Sequence, residues 1–147
     1  MVIAVAFDGA RELRALAERL DRVGRGDLIR EMDKRIANVL TGLEPTIRAS
    51  ALRLPRRGGL AAKVANAPMR VTSRVTARTV TGTLRAQSDV DLPRMDRGTD
   101  RHPVFGNRER WVTQKVPAGY WTEPTDAARA AVRQAIEDAA AAVADRV

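Results

Sequence analysis

Residues 69–87 read MRVTSRVTARTVTGTLRAQ, and the fold is decided by how this stretch is read. From Met69 the pattern has a period of two. Val71, Ser73, Val75 and Ala77 fall on one side, and Arg70, Thr72, Arg74, Thr76 and Arg78 on the other. The alternation then repeats, with Val80, Gly82, Leu84 and Ala86 inward and Thr79, Thr81, Thr83 and Arg85 outward. Strict alternation is what a strand shows when one face is covered and the other wet, so the spacing predicts an antiparallel hairpin. The inward residues are small, which lets a helix lie close on that face. Outward positions stand two apart along a strand, in steps of about 7 Å, and the arginines form a row along them with threonines between.

On the N-terminal side the period is helical. Leu28, Met32, Ile36, Val39, Leu40, Leu43 and Ile47 form one stripe, with Arg30, Glu31, Asp33, Lys34 and Arg35 largely opposite. Continuous to Leu52, this helix is about 37 Å long, and Pro45 predicts a kink near Thr41-Gly42. Gly24 and Gly26 precede it, and Asp27 is placed to cap it. An earlier helix carries Leu13, Leu16, Ala17 and Leu20 on one face, entered through an Asp8-Gly9 turn after a short edge strand, Val2–Phe7. On the C-terminal side, RWVTQKV at 110–116 alternates as a third strand. Pro124 then opens a last helix whose stripe is Ala128, Val132, Ala135, Ile136, Ala139 and Val143. These elements predict an α+β fold in one domain spanning 1–147. A small antiparallel sheet (hairpin plus third strand, with the N-terminal edge strand) packs against a long kinked helix and a C-terminal helix. The N-terminal strand and helices take 1–52, a basic Gly-rich loop 53–68, the sheet 69–117 and the final helix 118–147.

The chain has 147 residues, no cysteine and a net charge of +8. Without cysteine there are no disulfides, thiolate metal sites or cysteine nucleophiles, which fits a reducing compartment. The opening MVIAVAF is short, lacks basic residues and meets Asp8 at once, which is not the pattern of a signal peptide. No apolar run reaches the length of a membrane span, and a soluble chain is expected. The charge is unevenly spread: eight basic residues and no acid lie between Arg53 and Arg85. Such a field attracts a polyanion or an acidic protein surface, and an excess of arginine over lysine favours planar contacts to phosphate or carboxylate. Arg56, Arg57, Arg70, Arg74, Arg78 and Arg85 are the candidates for that face.

Catalysis needs a nucleophile, an acid/base pair or a cofactor site. There is one histidine, the serines (Ser50, Ser73 and Ser88) lie in no elbow motif, and neither HExxH nor GxGxxG occurs. Gly58-Gly59 beside arginines is not followed by GK[ST] and matches no phosphate loop. Asp89, Asp91, Asp96 and Asp100 offer oxygens to a divalent cation, but loop aspartates more often cap turns. The expectation is a protein without catalysis, cofactor or metal.

Residues 96–124, DRGTDRHPVFGNRERWVTQKVPAGYWTEP, hold four of the five aromatic rings and the only histidine. Rings bury more surface than aliphatic side chains, so they anchor either a core or a partner. Tyr120 and Trp121 hinge strand to helix and are expected to pack. Trp111 and Val112 are neighbours on a strand and cannot both face inward. Phe105 sits at the tip of the RHPVFGN loop.

Read whole, the chain resembles the small neck and tail-component proteins of long-tailed bacteriophages, of the head–tail joining or tail-completion type. FDGARELRALAERL looks like that family's strand, glycine turn and leucine-rich helix. RASALRLP followed by RRGGLAAKV is similar to its long helix, proline and Gly-Gly-Leu segment. DRGTDRHPVFGNRERWVTQ resembles the run seen in the actinobacteriophage branch, and GYWTEP its aromatic entry to the final helix. RHPVFGN…W is the most specific part. Arg97 departs from the pattern, although Asp96 keeps the acidic place two before the glycine. The resemblance implies a non-enzymatic virion protein, assembled in the host bacterial cytoplasm. It would form a ring, expected to be six-fold, between connector or head-closure proteins and the tail tube, with no membrane partner. A ring closes through two different patches per subunit. His102, Pro103, Val104, Phe105, Asn107 and Trp111 are the candidate subunit interface, and the arginine face would meet packaged DNA or an acidic neighbour. A freestanding basic nucleic-acid-binding protein is the alternative. The acid-free window supports it, and the separation of the rings from the arginines in the sequence counts against it.

Overall fold

A computed structural model describes residues 1–8, 22–76 and 79–146. The expected first helix with Leu13, Leu16, Ala17 and Leu20, the turn at Gly9, and Ala77 and Arg78 of the hairpin lie outside the described residues. The elements in order are β1 (Val2–Asp8), α1 (Arg22–Ala51), a 3-10 turn (Arg57–Gly59), α2 (Leu60–Ala65), β2 (Met69–Val75), β3 (Val80–Gln87), α3 (Leu92–Asp96), β4 (Thr99–Val104), β5 (Asn107–Lys115) and α4 (Thr122–Ala144).

The fold is α+β, with an antiparallel sheet in the order β1-β3-β2 and the long helix α1 and C-terminal helix α4 packed on it. The N–H of Thr76 donates to the Thr79 carbonyl and that of Gln87 to the Pro68 carbonyl, so β2 and β3 pair as one hairpin, as expected. Burial alternates along β3, with Val80, Gly82, Leu84 and Ala86 inside. β1 takes the edge beside β3.

The described residues group into two compact units. One holds the described residues within 4–43, 70–84 and 127–147. Its core joins Val5 and Phe7 to Leu28, Met32, Ile36 and Leu40 of α1, Val80 and Leu84 of β3, and the whole α4 stripe from Ala128 to Val143. A side chain at Gly82 would put its Cβ 2.7 Å from Ile36 Cγ2 and 2.8 Å from Leu40 Cδ1. The absence of a Cβ is therefore what lets α1 approach the sheet. Ser73 Oγ donates to Asp33 Oδ1 at 2.7 Å, tying the edge strand to the same helix.

α1 starts earlier than the glycines suggested. It includes Gly24, Gly26 and Asp27 in an unbroken 30-residue helix, about 45 Å long. Each glycine costs about 1 kcal/mol in a helix, a cost that packing of the Leu28–Ile36 face outweighs. Asp27 pairs with Arg30 one turn on instead of capping. The helix also runs through Pro45, which with Thr41 and Gly42 lies on the exposed face, where the carbonyl left without a donor meets water.

The other unit holds residues 1–3, 44–69 and 85–126. Ile47, Leu54, Val64, Leu92, Met95, Val116, Tyr120 and Trp121 form its core. Arg48 braces it, donating to the carbonyls of Ala65 and Ala67 at the end of α2 while pairing with Glu44 at 2.6 Å. The largest departure from expectation is here. The RWVTQKV strand does not join the hairpin sheet; it pairs with β4, a strand the sequence reading missed, as a separate two-stranded ribbon. A short helix, α3, also lies here, among the aspartates that the sequence suggests are loop residues.

Candidate functional site

The ribbon is built around a tight turn. Val104 and Asn107 are paired, and Phe105 (φ 50°) and Gly106 (φ 76°) between them are both left-handed, as a two-residue type I′ hairpin turn demands. Glycine accepts that backbone freely. Phenylalanine does not, at a cost on the order of 1–2 kcal/mol. Phe105 is also fully exposed, at 105% of its reference area. Strain and desolvated-ring potential thus coincide at one residue.

Below the tip the register shifts. Pro103 pairs with Trp111, so Arg108, Glu109 and Arg110 bulge from β5. Pro103 has no N–H to give the ladder, which explains why pairing breaks there. Asn107 Oδ1 accepts from the Glu109 N–H at 2.9 Å, and Trp111 Nε1 donates to the Arg108 carbonyl at 2.7 Å, which fix the bulge. Trp111 lies 47% exposed, with the Arg101 guanidinium 5.2 Å above its ring. All nine residues of β5 are exposed. His102 Nδ1 stands 3.2 Å from Asp100 Oδ2.

The face of the ribbon carrying Trp111 borders an open cleft of about 1200 Å³. Its walls gather Arg56 and Arg57 with His102, Pro103 and Trp111, sequence-selected residues from both candidate groups. They also bring in Lys63, Arg94, Arg101 and Arg108, which the sequence reading did not single out. Two of these cations are neutralised locally. Lys63 Nζ meets Asp89 Oδ2 at 2.6 Å and, by that bond, holds the Asp89 carboxyl below the usual range; Arg94 stands 3.5 Å from Asp91. Arg56, Arg57 and Arg108 have no carboxylate partner among the described residues. Gly58 and Gly59, both left-handed, have nothing within 4 Å of where a Cβ would stand, so the loop carrying Arg56 and Arg57 is open to approach.

The remaining arginines are elsewhere. Arg70, Arg74 and Arg85 are exposed on the outward face of the hairpin, not in the cleft. A shallow hollow there is lined by Thr72, Ser73, Arg74, Thr79, Thr81 and Thr83. Of the arginines grouped by their charge, Arg56 and Arg57 line the cleft, and Arg70, Arg74 and Arg85 do not.

The aspartates have structural work. Asp91 caps α3 by accepting from the Arg94 N–H at 3.0 Å. Asp96 Oδ1 accepts from the N–H groups of Trp121 (2.8 Å) and Thr122 (3.1 Å), and its Oδ2 from the Thr122 hydroxyl, so it caps α4 from twenty-five residues away. The N–H of Gly119 closes on the Asp96 carbonyl at 2.8 Å. Among the described residues, no three acidic, histidine or cysteine side chains are placed to hold a metal, and no helix is long and apolar enough to cross a membrane. No family model, curated protein or solved structure matches the chain.

Proposed function

We propose that this chain is a structural, non-enzymatic virion protein that forms a six-fold ring at the head–tail junction of a long-tailed bacteriophage, in a neck, tail-completion or tail-terminator position. Its neighbours would be the connector or head-closure proteins on one side and the tail tube on the other, around the DNA channel. The observation that carries this reading is Phe105. The most family-like motif, RHPVFGN, ends in a fully exposed ring on a strained turn, which is the form of an anchor awaiting a neighbouring subunit. Val104 and Asn107 flank that anchor, while His102, Pro103 and Trp111 lie on the ribbon just below it. Replacing Phe105 with Ala is expected to spare the monomer's fold and reduce assembly of tailed particles by tenfold or more, on the order of a hot-spot loss. Localisation of this chain in purified particles away from the head–tail junction overturns the proposal.

A second reading, a freestanding nucleic-acid-binding protein, is favoured by the meeting of Trp111 with five arginines in the cleft, one of them (Arg94) paired with Asp91. It predicts salt-dependent binding of DNA by the monomer.

A further inference from the structure

The cleft between the Arg56-Arg57 loop and the ribbon has a composition that neither ring assembly nor bare charge attraction requires. An acidic protein surface is satisfied by arginines alone. Here an indole half exposed in water shares the cleft with the arginines; Arg101 is stacked over it, and Arg56, Arg57 and Arg108 have no carboxylate partner among the described residues. Phosphates spaced along a chain and flat rings carried between them match that pattern. Duplex DNA presents the phosphates but keeps its rings stacked inside, so only an unpaired strand uses both halves of the site.

We infer that this cleft is a binding site for single-stranded nucleic acid. One base stacks on the Trp111 ring, against the side opposite Arg101, and the flanking phosphates are held by Arg56, Arg57 and Arg108. A hollow of about 1200 Å³ exceeds the size range that holds a drug-sized ligand and accommodates a few nucleotides. The backbone at Gly58 and Gly59 gives the strand room to pass beside the two arginines. This inference rests on the nucleic-acid reading of the cleft and is independent of whether the chain forms a ring.

The protein carries its own probe. Its two tryptophans differ, since Trp111 is 47% exposed and Trp121 only 3%. An oligothymidylate of about twelve nucleotides, titrated at low salt, should quench the exposed component and leave the buried one as an internal report of folding. Trp111→Ala should weaken binding about tenfold and abolish the quench, whereas Trp111→Tyr, which keeps a stacking ring, should retain most of the affinity. With three phosphates neutralised, the logarithm of the binding constant should fall with the logarithm of salt at a slope of about −2. Arg56→Ala with Arg57→Ala should reduce that slope to about −0.7. Equal affinity for duplex of the same length, or unchanged affinity in Trp111→Ala, overturns the inference. Equal competition by poly-glutamate assigns the cleft to an acidic protein and also overturns it. If Arg70→Ala with Arg74→Ala removes binding while Trp111→Ala does not, the nucleic-acid reading survives on the hairpin face and the cleft assignment falls.

Discussion

The two sheets of this protein share a period-two sequence pattern and come to opposite ends. In β3 every second residue is buried, and the inward set of Val80, Gly82, Leu84 and Ala86 is shaped to receive α1. In β5 all nine positions are exposed, aromatic and β-branched residues included. The first sheet is stabilised from within. A lone two-stranded ribbon is marginal by itself, and this one is held by local devices: the I′ turn, the bulge bonds of Asn107 and Trp111, the Arg101–Trp111 stack and the Val116 N–H bond to the Gly98 carbonyl. A surface kept in strand form without a covering layer is available to a partner.

Four measurements break or sharpen this contrast. The largest effect is expected at Gly82→Val, where a branched side chain must enter space already held by Ile36 and Leu40. Equilibrium denaturation should show a loss of about 3 kcal/mol or more. A loss under about 1 kcal/mol, within the range of volume-conserving swaps, would mean that α1 is not held against β3 as closely as the geometry states. Next is Asp96→Ala, which removes a three-bond cap from the start of α4 and should cost about 2 kcal/mol. Asp96→Asn should recover part of that, because an amide oxygen still accepts.

The third concerns alkaline pH. Burial pushes the Tyr120 hydroxyl well above its ordinary value, and the nearby Asp96 charge pushes it further the same way. The folded state therefore favours the neutral phenol. Its contribution is fully present below the unfolded value of about 10 and declines as the pH rises beyond it. Stability should fall above about pH 10, and Tyr120→Phe, which loses only a weak 3.5 Å bond to the Leu92 carbonyl, should flatten that fall. A fall of unchanged steepness in the variant would place the titration elsewhere.

The smallest change should have the opposite sign. Phe105→Asn puts a residue that tolerates the left-handed region at the turn and removes no buried surface, so stability should rise by about 0.5–1 kcal/mol. A destabilised Phe105→Asn monomer would mean that the ring packs on its own chain, and the contrast between the sheets would disappear.

Much of the fold was legible in advance. The hairpin alternation, the small inward residues, the buried stripe of α4 and the packing of Tyr120 and Trp121 all follow from residue spacing. The missed β4 is instructive. TDRHPV contains a proline and no clean alternation, and it becomes a strand only because β5 lies beside it. Gly24 and Gly26 suggest a helix that starts only after them, yet α1 runs through them, since packing one turn later outweighs a local cost of about 1 kcal/mol each. The candidate site was half legible. Arg56, Arg57 and Trp111 were marked as belonging to different surfaces, and Arg101 and Arg108 carried no signal beyond their charge.

The sequence by itself determined the hairpin strands, the body of the long helix and the C-terminal helix, and which face of each is apolar, because a repeat of two or of three to four residues shows directly where burial must occur. Three things were decided only in the tertiary structure: the separation of the ribbon from the hairpin sheet, the capping of α4 by Asp96, and the meeting of Trp111 with Arg56 and Arg57. Each depends on residues far apart in the chain, whose pairing leaves no periodic trace and is settled by which distant hydrogen bonds and contacts close together.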